Sequence, residues 1–292
     1  MTRADLVQDD GRVDRLWTGA TWSEGPLWIP TTRRLRWSDI PGDRILEWDS
    51  ASDTTIVHRE GVEFTNGRVL DADGTVVQCS HGRRRLEREL PDGSLEEIVA
   101  QWEGKRLNSP NDVAIAPDGS YWFSDPDYGI RQAHEGHLGE REYDGRFVFR
   151  WSAADGIRPV ITDIVQPNGL AFSPDGSTVY VTDTAIGLDD GPGHWIRAYD
   201  VVDAGAGAEN GRHFATIDDG MPDGIAVDER GRVWSSAGDG VHVFDPDAAE
   251  LLFLPVPEPV ANLCFGGDDG TDLFITATTS LYRVRTTTRA AI

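Results

Sequence analysis

PNDVAIAPDGSYWFSDP beginning at Pro110, PNGLAFSPDGSTVYVTD at Pro167 and PDGIAVDERGRVWSSAG at Pro222 align without a gap. Each reads as a polar residue, an apolar strand, an Asp/Glu-type turn closed by glycine, and a second strand. The polar residue stands eight positions before the turn glycine: Asn111 and Gly119, Asn168 and Gly176, Asp223 and Gly231. The same offset recovers Asn66 before Gly74 and Asn262 before Gly270. A sixth copy starts at Glu24 in EGPLWIPTTRRLRWSD, where PTTR replaces the glycine turn. Successive polar residues are 42, 45, 57, 55 and 39 positions apart, room for four short strands per unit with insertions in the third and fourth.

Helical periodicity is scarce, and short runs rich in Val, Ile, Trp, Phe and Tyr alternate with turn signals. The chain is therefore expected to be all-β: a six-bladed β-propeller in one domain over residues 1–292, with four antiparallel strands per blade. RVDRLW at residues 12–17 precedes the first unit and is expected to latch the ring by pairing with the last blade. A pair of β-sandwiches explains neither the six copies nor their shared polar register.

Composition narrows the function. The 292 residues carry 27 Lys and Arg against 50 Asp and Glu, a net charge of −23. Nucleic acid and anionic membrane surfaces need a basic face and are excluded as partners. No apolar run approaches the roughly 18 residues that span a bilayer. The polar start MTRADLVQDDGR and only two cysteines, Cys79 and Cys264, point to a reduced cytoplasmic setting without a disulfide framework.

In a propeller the first strand of every blade lines the axis. Glu24, Asn66, Asn111, Asn168, Asp223 and Asn262 would then form one ring of side-chain oxygens around it. Oxygen-only donors with two carboxylates suit a hard divalent cation, Ca²⁺ above all, with Mg²⁺, Mn²⁺ or Zn²⁺ as other choices. A single Asn-Gly or Pro-Asp-Gly is commonly only a turn. Six copies in one register outweigh that reading.

EGPLW, KRLNSPNDVAIAPDGSYWFSDPDYG, QPNGLAFSPDG and MPDGIAVDERG resemble the regucalcin–gluconolactonase family of calcium-dependent lactonases, from about Leu16 to about Val284. Diisopropyl-fluorophosphatase and paraoxonases are more distant relatives on the same fold. The resemblance implies metal ligands at Glu24, Asn111, Asn168 and Asp223, with substrate contacts at Asn108, Arg106 and Asn111. Asn66 and Asn262 lie outside that set and are assigned to water-mediated or substrate contact. Tyr128 and His81 are further candidates for meeting substrate hydroxyls, although His81 in CSHGRRRLER also reads as a solvated loop residue.

The implied reaction is the opening of a sugar lactone such as gluconolactone by water, with the cation polarising the ester carbonyl. Asp223 is the candidate catalytic residue, as general base, as orienter of the water or as nucleophile. A carboxylate bound to a dication is a poor base near neutrality, which disfavours the first role. Phosphotriesterase-like or other esterase chemistry, and a non-catalytic binding module with a structural cation, are the alternatives.

Other signals carry less. No G-x-S-x-G occurs, so a nucleophile elbow is absent. His134 and His137 in AHEGHLG lack the spacing of a zinc motif. Arg83, Arg84 and Arg85 read as a charged face, and the glycine-rich insertion from Asp127 to Arg146 as a lid or a surface loop.

Overall fold

The computed structural model describes residues 2–188 and 190–291. Six four-stranded antiparallel sheets stand around one axis as a β-propeller. Their innermost strands are Ser23–Ile29, Thr65–Leu70, Val113–Ile115, Pro167–Phe172, Ile225–Val227 and Val260–Gly266, opening blades I to VI. Each packs on the next in that order, and the sixth packs on the first. The turn glycines Gly74, Gly119, Gly176, Gly231 and Gly270 all take the left-handed conformation, with φ between 68° and 85°. In blade I, Arg33 does the same at φ 55°.

Blades I to V are built from consecutive strands. In blade VI the outermost strand is Asp14–Thr18, antiparallel to Ser280–Arg285, with Thr18 opposite Ser280 and Asp14 opposite Arg283. Residues from both ends of the chain thus share a sheet, which closes the ring through hydrogen bonds.

Both faces of every blade are covered by neighbours. The second strands Val76–Ser80, Tyr121–Asp125, Val233–Ser236 and Asp272–Ala277 are consequently buried at every position, without the alternation of a half-exposed sheet. The core lies in the seams between blades. Apolar clusters fill the seams II–III, III–IV, IV–V, V–VI and VI–I. In the closing seam Trp28 stacks on Phe274 at 5.5 Å and Trp48 tilts against the same ring at 5.7 Å. This accounts for tryptophans crowding the first unit. The seam between blades I and II is ionic instead: Arg36 bridges Glu47 at 2.7 Å and Glu89 at 3.3 Å.

Among the described residues helix is confined to short turns such as Tyr128–Arg131. Among the described residues no helix is long and apolar enough to cross a membrane.

Phe274 is fully buried at the closing seam. Phe274→Ala is expected to lower unfolding free energy by about 3–5 kcal/mol, the usual effect of emptying a buried aromatic site. Urea titration followed by tryptophan fluorescence measures it.

Candidate functional site

Six strands converging on one axis leave little room, and the ring residues show how the chain solves this. In blades I, II and IV one extra residue interrupts the pairing of first and second strands beside Glu24, Asn66 and Asn168. Such bulges re-aim a side chain and are frequent next to active sites. The residue after Asn66 is Gly67, whose N–H donates to the Asn111 carbonyl of the next blade at 2.8 Å. A Cβ there would lie 2.7 Å from that carbonyl oxygen and 2.3 Å from Asp112 Oδ1. The glycine of this Asn-Gly pair therefore serves close strand approach rather than a turn.

The loops leading into the ring are tied by buried acids at the ends of second strands. Asp39 accepts the Thr21 and Trp22 amides at 2.9 and 3.1 Å. Asp125 accepts those of Asn108 and Ser109 at 2.8 and 2.9 Å, and Asp183 accepts that of Gln166 at 3.2 Å. Glu24, Asn111 and Asn168 follow these anchored loops directly.

At the axis Glu24, Asn66, Asn111, Asn168 and Asn262 are buried, and Asp223 is half-buried. Glu24 Oε2 accepts its neighbour Gly25 N–H at 2.9 Å and the Asn262 amide at 3.1 Å. The Asn262 Oδ1 accepts the Leu263 N–H at 2.8 Å, so both ends of that amide are occupied. Glu24 and Asp223 face each other closely enough to hydrogen-bond. Burial pushes Glu24 up to about 7. Burial first, and then the Glu24 charge, hold Asp223 well above the carboxylate range.

His81 is fully buried and not solvated. Its Nδ1 lies 3.0 Å from the Glu135 carbonyl oxygen, which can only accept, so Nδ1 carries the proton. Burial drives the ring down to about 4 and keeps it neutral. Nε2 then accepts from the Asn66 and Asn111 amide nitrogens at 3.3 and 3.4 Å. Holding both amides by nitrogen leaves their oxygens for the axis. Asn66 Oδ1 and Asp223 Oδ1 are buried without a hydrogen-bond partner, which marks an electron-rich pocket awaiting a positive or donating group.

The Asp127–Arg146 insertion covers this ring. Arg146 and Arg141 meet Asp127 at 2.8 and 3.5 Å, and Asp127 accepts from Gln166 of blade IV at 2.7 Å. Tyr128 is buried with its hydroxyl on Thr184 and within reach of Asn168. Glu135 interacts electrostatically with Glu24, Asp223 and Tyr128, and burial pushes its carboxyl up to about 7. It lies outside the repeat, so no register in the sequence marks it. Asn108 is buried, with its amide nitrogen on the Asp125 and Gly145 carbonyls, both at 3.1 Å, and its Oδ1 free. Arg106 stands apart, exposed on the Gln101–Trp102/Lys105–Arg106 hairpin. Arg83 and Arg85 pair with buried Glu87 at 3.5 and 2.7 Å, and Arg84 donates to the Leu107 carbonyl at 2.6 Å.

Fold and site define a propeller whose axial ring of oxygen-bearing side chains is covered by the insertion at 127–146. Residues 22–279 match the family described as SMP-30/Gluconolactonase/LRE-like region. A gluconolactonase of Zymomonas mobilis is 32% identical over 98% of this chain and 85% of its own length. The structure of a gluconolactonase from Xanthomonas campestris superposes with a TM-score of 0.90, at 40% identity over 97% of this chain and 91% of that one. The calcium-binding protein regucalcin of Agrobacterium tumefaciens, 21% identical over 96% of this chain and 95% of its own, shares the fold with a TM-score of 0.76. The chain belongs to the SMP-30/gluconolactonase/LRE-like family and is an ester hydrolase of the lactonase class.

The His81 ring is expected to stay neutral and Nδ1-protonated across pH 5–8, because its titration lies near 4. Long-range ¹H–¹⁵N correlation spectra read both properties. His81→Phe, which strips two buried amides of their acceptor, is expected to cost about 1–3 kcal/mol.

Proposed function

We propose that this chain opens a neutral sugar lactone, gluconolactone-like, with a divalent cation, Ca²⁺ by preference, held by Glu24, Asn111, Asn168 and Asp223. The observation that carries this is the facing pair of carboxyls, Glu24 buried and Asp223 half-buried, ringed by amides, with Asp223 Oδ1 and Asn66 Oδ1 buried without a hydrogen-bond partner. Two carboxylates balance a dication, and oxygen-only donors suit a hard one. Such an ion would polarise the ester carbonyl and offset the developing oxyanion charge.

The remaining chemistry falls to side chains. Asp223 orients the attacking water through its second oxygen. Glu135 is not among the cation's donors, and its raised titration suits it to take the water proton near neutrality. The water oxygen bonds to the carbonyl carbon, the ring C–O bond breaks, and the departing alkoxide takes back that proton. Product is the open hydroxy acid, which ionises. Tyr128, Asn108 and, from the rim, Arg106 offer hydrogen bonds to sugar hydroxyls, while His81 and Asn262 hold the ring side chains in place. The unpaired Cys79 and Cys264 accord with a cytoplasmic setting.

Acid release from gluconolactone, followed with and without chelator, tests the proposal. Chelation is expected to abolish it, and Asp223→Asn to lower kcat by about 10²–10³-fold with the fold intact. Chelator-insensitive turnover, or full activity of Asp223→Asn, overturns it.

Glu135→Gln is expected to lower kcat by about 10²–10⁴-fold while cation affinity persists. Wild-type rate should climb with pH as Glu135 ionises, with a midpoint at or below about 7 because the cation favours the charged form. The variant should lose that limb.

Cation-free protein should behave oppositely in stability. The folded-state titration of Glu24 is raised to about 7 from 4.5, so its protonated form favours the fold. That contribution is complete below about 4.5 and lost as pH rises through about 7. Melting temperature in chelator should fall over this window, and added Ca²⁺ should restore most at the alkaline end.

A further inference from the structure

The opposite end of the axis holds a second chamber of about 730 Å³, within the size range of small-molecule sites (about 300–1,000 Å³). Its walls are the innermost strands beyond the ring, with Val69, Val113, Leu170, Ile225 and Leu263 prominent among apolar side chains. Ala290 and Ala291 lie at its edge, where the Ala291 N–H pairs with the Val227 carbonyl at 2.9 Å. Gly25, Asn262 and Asp112 also line it, so the chamber adjoins the underside of the ring.

One charged side chain in its wall is unusual. Arg68 is 5% exposed, and no carboxylate stands within ion-pair distance of it among the described residues. Nη1 donates to the Gly25 carbonyl at 2.8 Å and Nη2 to Ser38 Oγ at 2.6 Å, while Nε has no partner. Desolvation drives its titration below the usual arginine range. The nearby acids are engaged elsewhere: Glu47 pairs with Arg34 and Arg36, and Glu89 with Arg36 and Arg59. Asp112 also lines the chamber, but its Oδ1 accepts the Val113 amide at 2.9 Å and it forms no ion pair with Arg68. A buried guanidinium without a counter-ion is expensive, and it borders an apolar space large enough for a ligand.

We propose that this chamber binds a monocarboxylate with an apolar tail, its carboxylate on Arg68 and its tail along the inner strands. A single unpaired guanidinium matches one carboxylate, and the aliphatic walls disfavour a polyhydroxy acid. The site is separate from the lactone pocket and does not rest on the lactonase reading. Occupancy would be felt at the ring, because Arg68 holds the Gly25 carbonyl next to Glu24, and Ser38 Oγ also donates to the Asn66 carbonyl at 3.1 Å.

Calorimetric titration of the full chain with octanoate tests this, with 1-octanol as the uncharged tail and gluconate as the charge without a tail. One octanoate per chain is expected, bound at least about tenfold more tightly than octanol, as a charge-assisted hydrogen bond implies. Gluconate should give no saturable binding in the presence of chelator. Arg68→Met should reduce octanoate to the octanol level. Should that variant misfold, Ala226→Phe, which fills the chamber and leaves Arg68 in place, should abolish octanoate binding with unchanged circular dichroism. No octanoate binding at millimolar concentration overturns the proposal. So does binding that survives Ala226→Phe or is equalled by octanol or gluconate.

Discussion

Six peptide strands cannot approach one axis with full side chains on every residue, and the site follows from that constraint. Glu24, Asn66, Asn168 and Asn262 sit where the strands bulge, and Gly67 shows why a glycine follows four of the six ring residues: its Cβ would collide with the next blade's backbone. The close approach also allows inter-blade hydrogen bonds, from Gly67 N–H to the Asn111 carbonyl at 2.8 Å and from Gly224 N–H to that of Ala261 at 2.7 Å. Backbone polar groups that would otherwise be stranded near the axis are thereby satisfied. Outside this inner circle, apolar seams and the shared sheet of blade VI keep the circle closed.

Within the circle the electrostatics are lopsided. Glu24, Asp223 and Glu135 all carry titrations raised by burial, and among the described residues no cationic side chain stands within ion-pair distance of the two ring carboxyls. The protein accepts this strain through neutral supports: Asn262 on Glu24, and His81 on two amides. A neutral histidine buried beside the ring is better suited to that role than a charged one, since it orients oxygen donors without adding a competing positive charge. The buried Arg68 lines the chamber at the other end of the tunnel. The two ends of one axis thus differ in chemistry: a ring of oxygens with facing carboxyls above, and below a largely aliphatic chamber that holds Arg68 together with Asp71 and Asp112.

Much of this was legible in the repeat. The eight-residue offset between a polar residue and a turn glycine marks the innermost strands of blades II to VI, and EGP marks that of blade I. Spacing reports these features because each blade is one supersecondary unit, and a unit keeps its register wherever it recurs. The residues that the repeat does not mark are those contributed once. Glu135 comes from an insertion present in a single blade. His81 sits in a loop whose composition resembles a solvated surface, yet two amides and the lid enclose it. The AHEGHLG segment drew attention to its histidines, whereas the acid between them is the residue turned to the ring.

The sequence by itself determined the all-β class, the number of blades and where each innermost strand begins, since periodic strand and turn chemistry is local and repeats six times. Only the tertiary structure decided which way each amide faces, how far burial shifts each carboxyl and what the insertion covers. It also revealed the apolar chamber with its unpaired arginine at the far end of the axis. These properties depend on desolvation and on partners dozens of residues away, such as His81 with Glu135 and Glu24 with Asn262. No local pattern carries them, because a side chain's surroundings exist only once the ring has closed.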